Sequence, residues 1–152
     1  MKRLLLGSIL LLTPAVYAQQ ASLGVETNRL SADGGSLTFT ATATYAQTPN
    51  ALGWSVKLPA GWSLQQTGGA QVPEVAPAPG ATRTLEWAYI AVPATATQFE
   101  FTAYYPAGLS NNQTVTAELI VRADGQTKSV AAQSLILRPV VVRPGRPGAR
   151  EN

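Results

Sequence analysis

The residues with any capacity for chemistry or ligand recognition are three glutamates, Glu86, Glu100 and Glu118, and two aromatic rings, Trp62 and Tyr104. Two carboxylates held about 5–10 Å apart across a cleft can divide acid and base work in hydrolysis. Aromatic rings shown to solvent can stack on sugars. Little else is available. The chain has no histidine and no cysteine, which excludes Ser-His and Cys-His nucleophile pairs and a zinc site of nitrogen or sulfur ligands. Gly34-Gly35 and Gly68-Gly69 lack the lysine or following helix of a phosphate loop. Asp33 and Asp124 sit in turns, without the alternating acidic ligands of a calcium loop. Asn112-Gln113-Thr114 matches a glycosylation acceptor, a short pattern that recurs by chance.

The elements that must position these residues are strands. In Leu37 to Tyr45, LTFTATATY, every odd position is apolar and every even one is threonine. Successive side chains point to opposite faces of a sheet, so this is a strand with one buried and one wet face. Asp33-Gly34-Gly35 precedes it as a turn, and Leu23 to Leu30 reads as an earlier strand. Leu85, Trp87 and Tyr89 alternate with Thr84, Glu86 and Ala88. Phe99, Phe101, Ala103 and Tyr105 alternate with Gln98, Glu100, Thr102 and Tyr104. Val115, Ala117, Leu119 and Val121 point inward from the next strand. Asp124-Gly125 then reads as a tight hairpin turn, with a return strand over about 127–137. Gly68 to Gly80 is a loop whose Pro73, Pro77 and Pro79 keep it out of a ladder interior. Glu86, Glu100 and Glu118 all fall on polar positions, the pattern of a solvated face. The expected fold is all-β, an antiparallel two-sheet, Ig-like sandwich with about seven to nine strands; a closed barrel is the alternative.

The stretch Ala51 to Leu64, ALGWSVKLPAGWSL, carries two tryptophans. Leu52, Trp54, Val56 and Leu58 share one parity, so Trp54 points with the aliphatics. Leu58-Pro59-Ala60-Gly61 fits a type I turn, after which Trp62 shares a face with Leu64. On parity both tryptophans are core, as are Trp87, Phe99 and Phe101. Because Trp62 directly follows a turn and Tyr104 opposes the core parity of its strand, these two are the candidate ligand-binding rings.

Outside the body, Lys2-Arg3, the apolar run Leu4 to Leu12 and Val16-Tyr17-Ala18 read as a secretory signal peptide over residues 1–18. The apolar run is too short to span a bilayer. Residues 19–137 form one sandwich domain, and 138–152 a Pro/Arg-rich tail expected to be partly disordered. Although the whole chain carries +3, residues 19–137 hold five basic against seven acidic residues, and the basic character sits in Arg138, Arg143, Arg146 and Arg150. A body with net negative charge is not a nucleic-acid surface.

The run from ALGWSVKLPAGWSL through GATRTLEWAYIAVP and FEFTAYYPAG to Thr114–Val121 resembles a recurrent module of bacterial exported proteins. A strand ending LP-x-GW leads to a Pro/Gly loop, an LEW strand and an aromatic strand closing on YP-x-G. This module is similar to cohesin-type and carbohydrate-binding-type sandwiches and covers roughly residues 23–137. The resemblance implies that Trp54, Trp62 and Trp87 are signature core residues, and it supplies no ligand-binding residue. The expectation is a secreted or periplasmic, non-catalytic interaction module without cofactor or metal. Its partner would be an extracellular or envelope protein, with no nucleic acid and no membrane span after signal cleavage. The alternative is a carbohydrate-binding module that takes a polysaccharide on Trp62, Tyr104 and loop aromatics.

Overall fold

The structure is a computed structural model and describes residues 19–142. The leader over 1–18 and the tail beyond Val142 lie outside the described residues. Among the described residues there are ten strands: β1 (Gln19–Val25), β2 (Arg29–Leu30), β3 (Gly35–Tyr45), β4 (Ala51–Lys57), β5 (Ser63–Gly68), β6 (Thr84–Tyr89), β7 (Ala96–Tyr105), β8 (Gln113–Ala123), β9 (Gln126–Ala131) and β10 (Leu135–Pro139). They make two sheets. The smaller has the order β1-β3-β7-β5; the larger has β2-β10-β8-β4-β6, with β9 also on β8. The sheets pack face to face and do not close into a barrel.

The alternation in the sequence is what divides inside from outside. From the smaller sheet, Leu37, Phe39, Ala41 and Ala43 of β3 and Phe99, Phe101 and Ala103 of β7 are buried. From the larger, Leu52, Trp54 and Val56 of β4, Leu85, Trp87 and Tyr89 of β6, and Val115, Ala117, Leu119 and Val121 of β8 meet them. The register places Trp54 between Trp87 and Leu119. Rings bind the layers together. Trp87 lies 5.3 Å from Phe99 and 5.0 Å from Phe101, and Trp54 approaches Phe99 edge-on at 6.4 Å. Within the smaller sheet, Phe39 and Phe101 are direct cross-strand partners and stack at 5.0 Å. Such pairs each add about 0.5–1.5 kcal/mol beyond the area they bury.

Four local features differ from the sequence pattern. Leu23 to Leu30 is not one strand. The chain leaves the smaller sheet after Val25 and joins the larger at Arg29, so Leu23 and Leu30 are buried from opposite layers. The return strand is likewise divided into β9 and β10, which lie one after the other along β8. One pairing is parallel, that of β10 with β2, where Arg138 N donates to Asn28 O at 2.7 Å and Val140 N to Leu30 O at 2.8 Å. The turn before β5 is set one residue later than expected. Trp62 N donates to Pro59 O, and Gly61 takes φ +84 at the third turn position, as a type II turn requires. The hairpin after β8 has positive φ at both Asp124 and Gly125, the type I′ geometry that suits the twist of paired strands.

The proline-rich loop between β5 and β6 closes one side of the sandwich. Val75 exchanges two backbone hydrogen bonds with Ala88 on the outer edge of β6, while Gly80 and Ala81 bond to Leu64 of β5. Glu74 accepts from the backbone N–H groups of Ile90 and Ala91. Its own backbone N–H, followed by that of Ile90, holds its carboxyl below the usual carboxylate range. Both edges are thereby covered, which blunts strand-to-strand association there.

Candidate functional site

The aromatic candidates separate. Trp62 has no exposed surface, and its ring lies 5.3 Å from that of Tyr105. The turn hands the chain to β5 with Trp62 on the same side as buried Leu64, so packing overrides proximity to the turn. Trp62 is therefore withdrawn as a surface ring. Trp54 and Trp87 are buried with it. Tyr104 is 41% exposed on the outer face of the smaller sheet, opposite Ser36 of β3 and Ser63 of β5. Among the described residues it is the one exposed aromatic ring, and no second ring completes a row.

The outer face of the smaller sheet is a plain of short hydroxyls and amides. Thr38, Thr40, Thr42 and Thr44 of β3 face Thr102, Glu100, Gln98 and Ala96 of β7. Thr38 Oγ1 and Thr102 Oγ1 are 3.0 Å apart. Glu100 stands here without a second carboxylate beside it.

Glu86 and Glu118 lie on the other outer face, each directly opposite Ser55 of the intervening β4. Strand spacing sets them about 10 Å apart; Glu118 lines a recess of about 210 Å³ with Ser55 and Lys57, and Glu86 is not part of it. Among the described residues no group of three or more acidic, histidine or cysteine side chains could hold a metal ion.

A depression of about 400 Å³ lies at the β1 edge of the smaller sheet, lined by Gln20, Ser22, Thr42 and Thr44 with Val130 and Ala131; the larger outer face has a relief of its own. One residue-pair along from the Glu86–Ser55–Glu118 row, the strands place Ala88, Gly53 and Ile120 in line. Gly53 has no side chain, and a Cβ there would come within 2.9 Å of Trp87 O. The floor therefore sinks between Ala88 and the partly exposed Ile120. The depression measures about 260 Å³ and extends to Ala51 and Arg122. It is an apolar trough running across the strands, with carboxylates on one side and Arg122 on the other. The alternation of β8 puts Ile120 on the outward parity; an isoleucine there, unlike its polar neighbours, was the only signal of the trough in the sequence. The sinking of the floor depends on a register that the sequence does not display.

No helix among the described residues is long and apolar enough to cross a membrane. No protein-family model matches the chain, and no curated protein is similar to it. Solved structures do match. The N-terminal domain of an adhesin from Streptococcus gordonii superposes with a TM-score of 0.59 at 12% identity, over 79% of this chain and 32% of that one. A non-cellulosomal cohesin from Archaeoglobus fulgidus gives 0.57 at 12% identity, over 81% of this chain and 91% of that one. A type II cohesin domain from the cellulosome of Acetivibrio cellulolyticus gives 0.54 at 10% identity, over 78% and 94%. The chain thus spans about a third of the adhesin and nearly the whole of each cohesin. At such identities the likeness is one of fold: the chain is a cohesin-like β-sandwich.

Proposed function

We propose that this chain is a non-catalytic interaction module that works outside the cell or in its envelope, and that it meets a protein partner on the outer face of the larger sheet. The observation that carries this reading is the apolar trough of Ile120, Gly53 and Ala88 between oppositely charged flanks. A partner that fits would insert an aliphatic or aromatic anchor over Gly53. It would set basic groups toward Glu86 and Glu118 and an acidic group toward Arg122. Charge complementarity of this kind fixes orientation, while the desolvated anchor supplies most of the affinity. The fold shared with adhesin and cohesin domains supports the reading, as does the leader-like start of the sequence. A sequence without histidine or cysteine, and with no paired carboxylates across a cleft among the described residues, is consistent with a non-catalytic role.

The test is a photo-crosslinking amino acid at position 120, with position 40 on the threonine face as control, in cells that make the protein. A discrete adduct at 120, lost with Arg122→Glu and absent at 40, is the expected result. Adducts at 40 alone, or none at 120, would refute the proposal. The polysaccharide alternative on Trp62 and Tyr104 has no comparable support, because the first ring is buried and the second stands alone.

A further inference from the structure

The parallel pairing of β2 with β10 has an electrostatic consequence. It sets Arg29 directly opposite Arg138. Adjacent strands bring the two Cα atoms to about 4.8 Å. Leu30 and Leu137, next along each strand, are buried, so both arginines point outward, and both are exposed. Like charges directly opposite one another destabilise a sheet unless something compensates them. Nothing within the described residues does so, since neither guanidinium takes a hydrogen bond or ion pair there. Glu26, three residues before Arg29, accepts from Thr38 N at 3.1 Å instead. Asn28, Pro139 and Val140 complete a recess of about 280 Å³ around the pair. The sequence runs on from this point with Arg143, Arg146 and Arg150, and Glu151 is the only acidic residue after Asp124.

We infer that Arg29 and Arg138 form an anion clamp for an acidic polysaccharide, one that carries sulfate or carboxylate groups at intervals along an extended chain. Two planar guanidinium forks side by side match the paired oxygens of such groups. Arginines spaced along the following sequence match a polymer better than a single small ion. A single-stranded nucleic acid would call for stacking rings as well, and the exposed Tyr104 lies on the other sheet. This site is separate from the trough. Arg138 follows the Leu137–Gln113 pair, so it lies eight residues along β8 from Ile120, roughly 25 Å at strand rise.

The experiment measures binding of the full chain to dextran sulfate and to polygalacturonate over a range of salt. Neutral dextran and single-stranded DNA serve as comparators. At least one acidic polysaccharide is expected to bind, and neutral dextran is not. Dextran sulfate and polygalacturonate separate sulfate from carboxylate recognition. The double variant Arg29→Ala/Arg138→Ala should weaken binding tenfold or more at low salt, with its thermal midpoint unchanged or raised. It should lower the slope of log affinity against log salt by about 1.5, as expected for two lost charge contacts. Arg29→Lys/Arg138→Lys should keep the slope and still lose affinity. Wild-type binding by the double alanine variant would assign the attraction to Arg143, Arg146 and Arg150 and overturn the clamp. So would tighter binding of single-stranded DNA than of either polysaccharide, or binding to none. Crosslinking at position 120 should be untouched by these substitutions, so failure of the clamp and failure of the protein-docking reading are distinguishable.

Discussion

The indole N–H of Trp87, on the larger sheet, donates to Thr67 Oγ1 on the smaller at 3.0 Å. This is a polar tie between layers joined mainly by apolar contact. Trp54 and Trp62 differ from it, for their buried indole nitrogens have no hydrogen-bond partner. Replacement by phenylalanine therefore has opposite polar consequences. Trp87→Phe removes a made hydrogen bond, whereas Trp54→Phe removes an unpaired donor whose burial already costs free energy. Both lose ring volume. Trp87→Phe is expected to be the more destabilising, by about 1–2 kcal/mol. Urea unfolding of the two variants checks this, and the reverse order would rule out the polar explanation.

Intrinsic fluorescence tests the aromatic core directly. With all three tryptophans buried, emission should be blue-shifted and acrylamide should quench it poorly. Neutral polysaccharides should change neither property. A red, quenchable component protected by one sugar would mean that an indole reaches solvent.

Two glycines separate backbone strain from close approach. Gly34 and Gly108 have nearly equal φ, +77 and +75. A Cβ at Gly34 would lie 2.8 Å from Ala107 N, while one at Gly108 meets nothing within 4 Å. Gly108→Ala should cost only the left-handed penalty, about 1–2 kcal/mol. Gly34→Ala should add about 1–3 kcal/mol of overpacking. Thermal or urea unfolding of the pair measures the difference, and equal costs would mean that the segments around Ala32 and Ala107 part readily.

Stability should fall at both ends of the pH scale for separate reasons. The Glu74 carboxyl is held low by backbone N–H groups, chiefly its own and that of Ile90. Its contribution is present above the unfolded carboxylate range and is lost as pH falls through the folded value. Amide exchange at Ile90 and Ala91 should accelerate there, and Glu74→Gln should remove most of that pH dependence. Burial pushes the Tyr89 hydroxyl up to about 12. It also raises Tyr45, which donates to Pro93 O. For Tyr89 the folded state holds its proton longer than the unfolded one. Its contribution is thus intact below about pH 10, the ordinary tyrosine value, and is lost between there and about 12. Tyr89→Phe should flatten the alkaline limb of a stability profile, and an unchanged limb would exclude this residue as its source.

Much of the fold is legible because burial imposes a period of two. The threonine alternation of β3 marks its two faces without ambiguity, and Asp124-Gly125 marks its hairpin because a type I′ turn needs positive φ at both positions. The same alternation hides the change of sheet between Leu23 and Leu30, since either sheet buries the same parity and a core residue does not say which layer it belongs to. At Trp62 nearness to a turn points to the surface and strand parity to the core; the strand it enters sets its direction, and the ring is buried. The trough and the arginine pair were less legible still. Gly53 becomes a floor only between Ala88 and Ile120, and Arg29 meets Arg138 through a parallel pairing more than a hundred residues apart in sequence.

That parallel pairing also governs how the domain would respond to mechanical load. If tension is applied between the start of β2 and the finish of β10, the two strands are drawn in opposite directions along their length; tension at the N-terminal end is borne first by β1, through its ladder with β3. Because the strands run the same way, the bonds from Arg138 N to Asn28 O and from Val140 N to Leu30 O are strained in shear, together, rather than peeled one at a time. Antiparallel terminal strands drawn from a shared end would unzip at much lower force. Single-molecule extension between positions 29 and 139, compared with extension between position 29 and the 124–125 hairpin, would register the difference. Load applied across these two strands would thus fall on a two-pair ladder that acts as a mechanical latch.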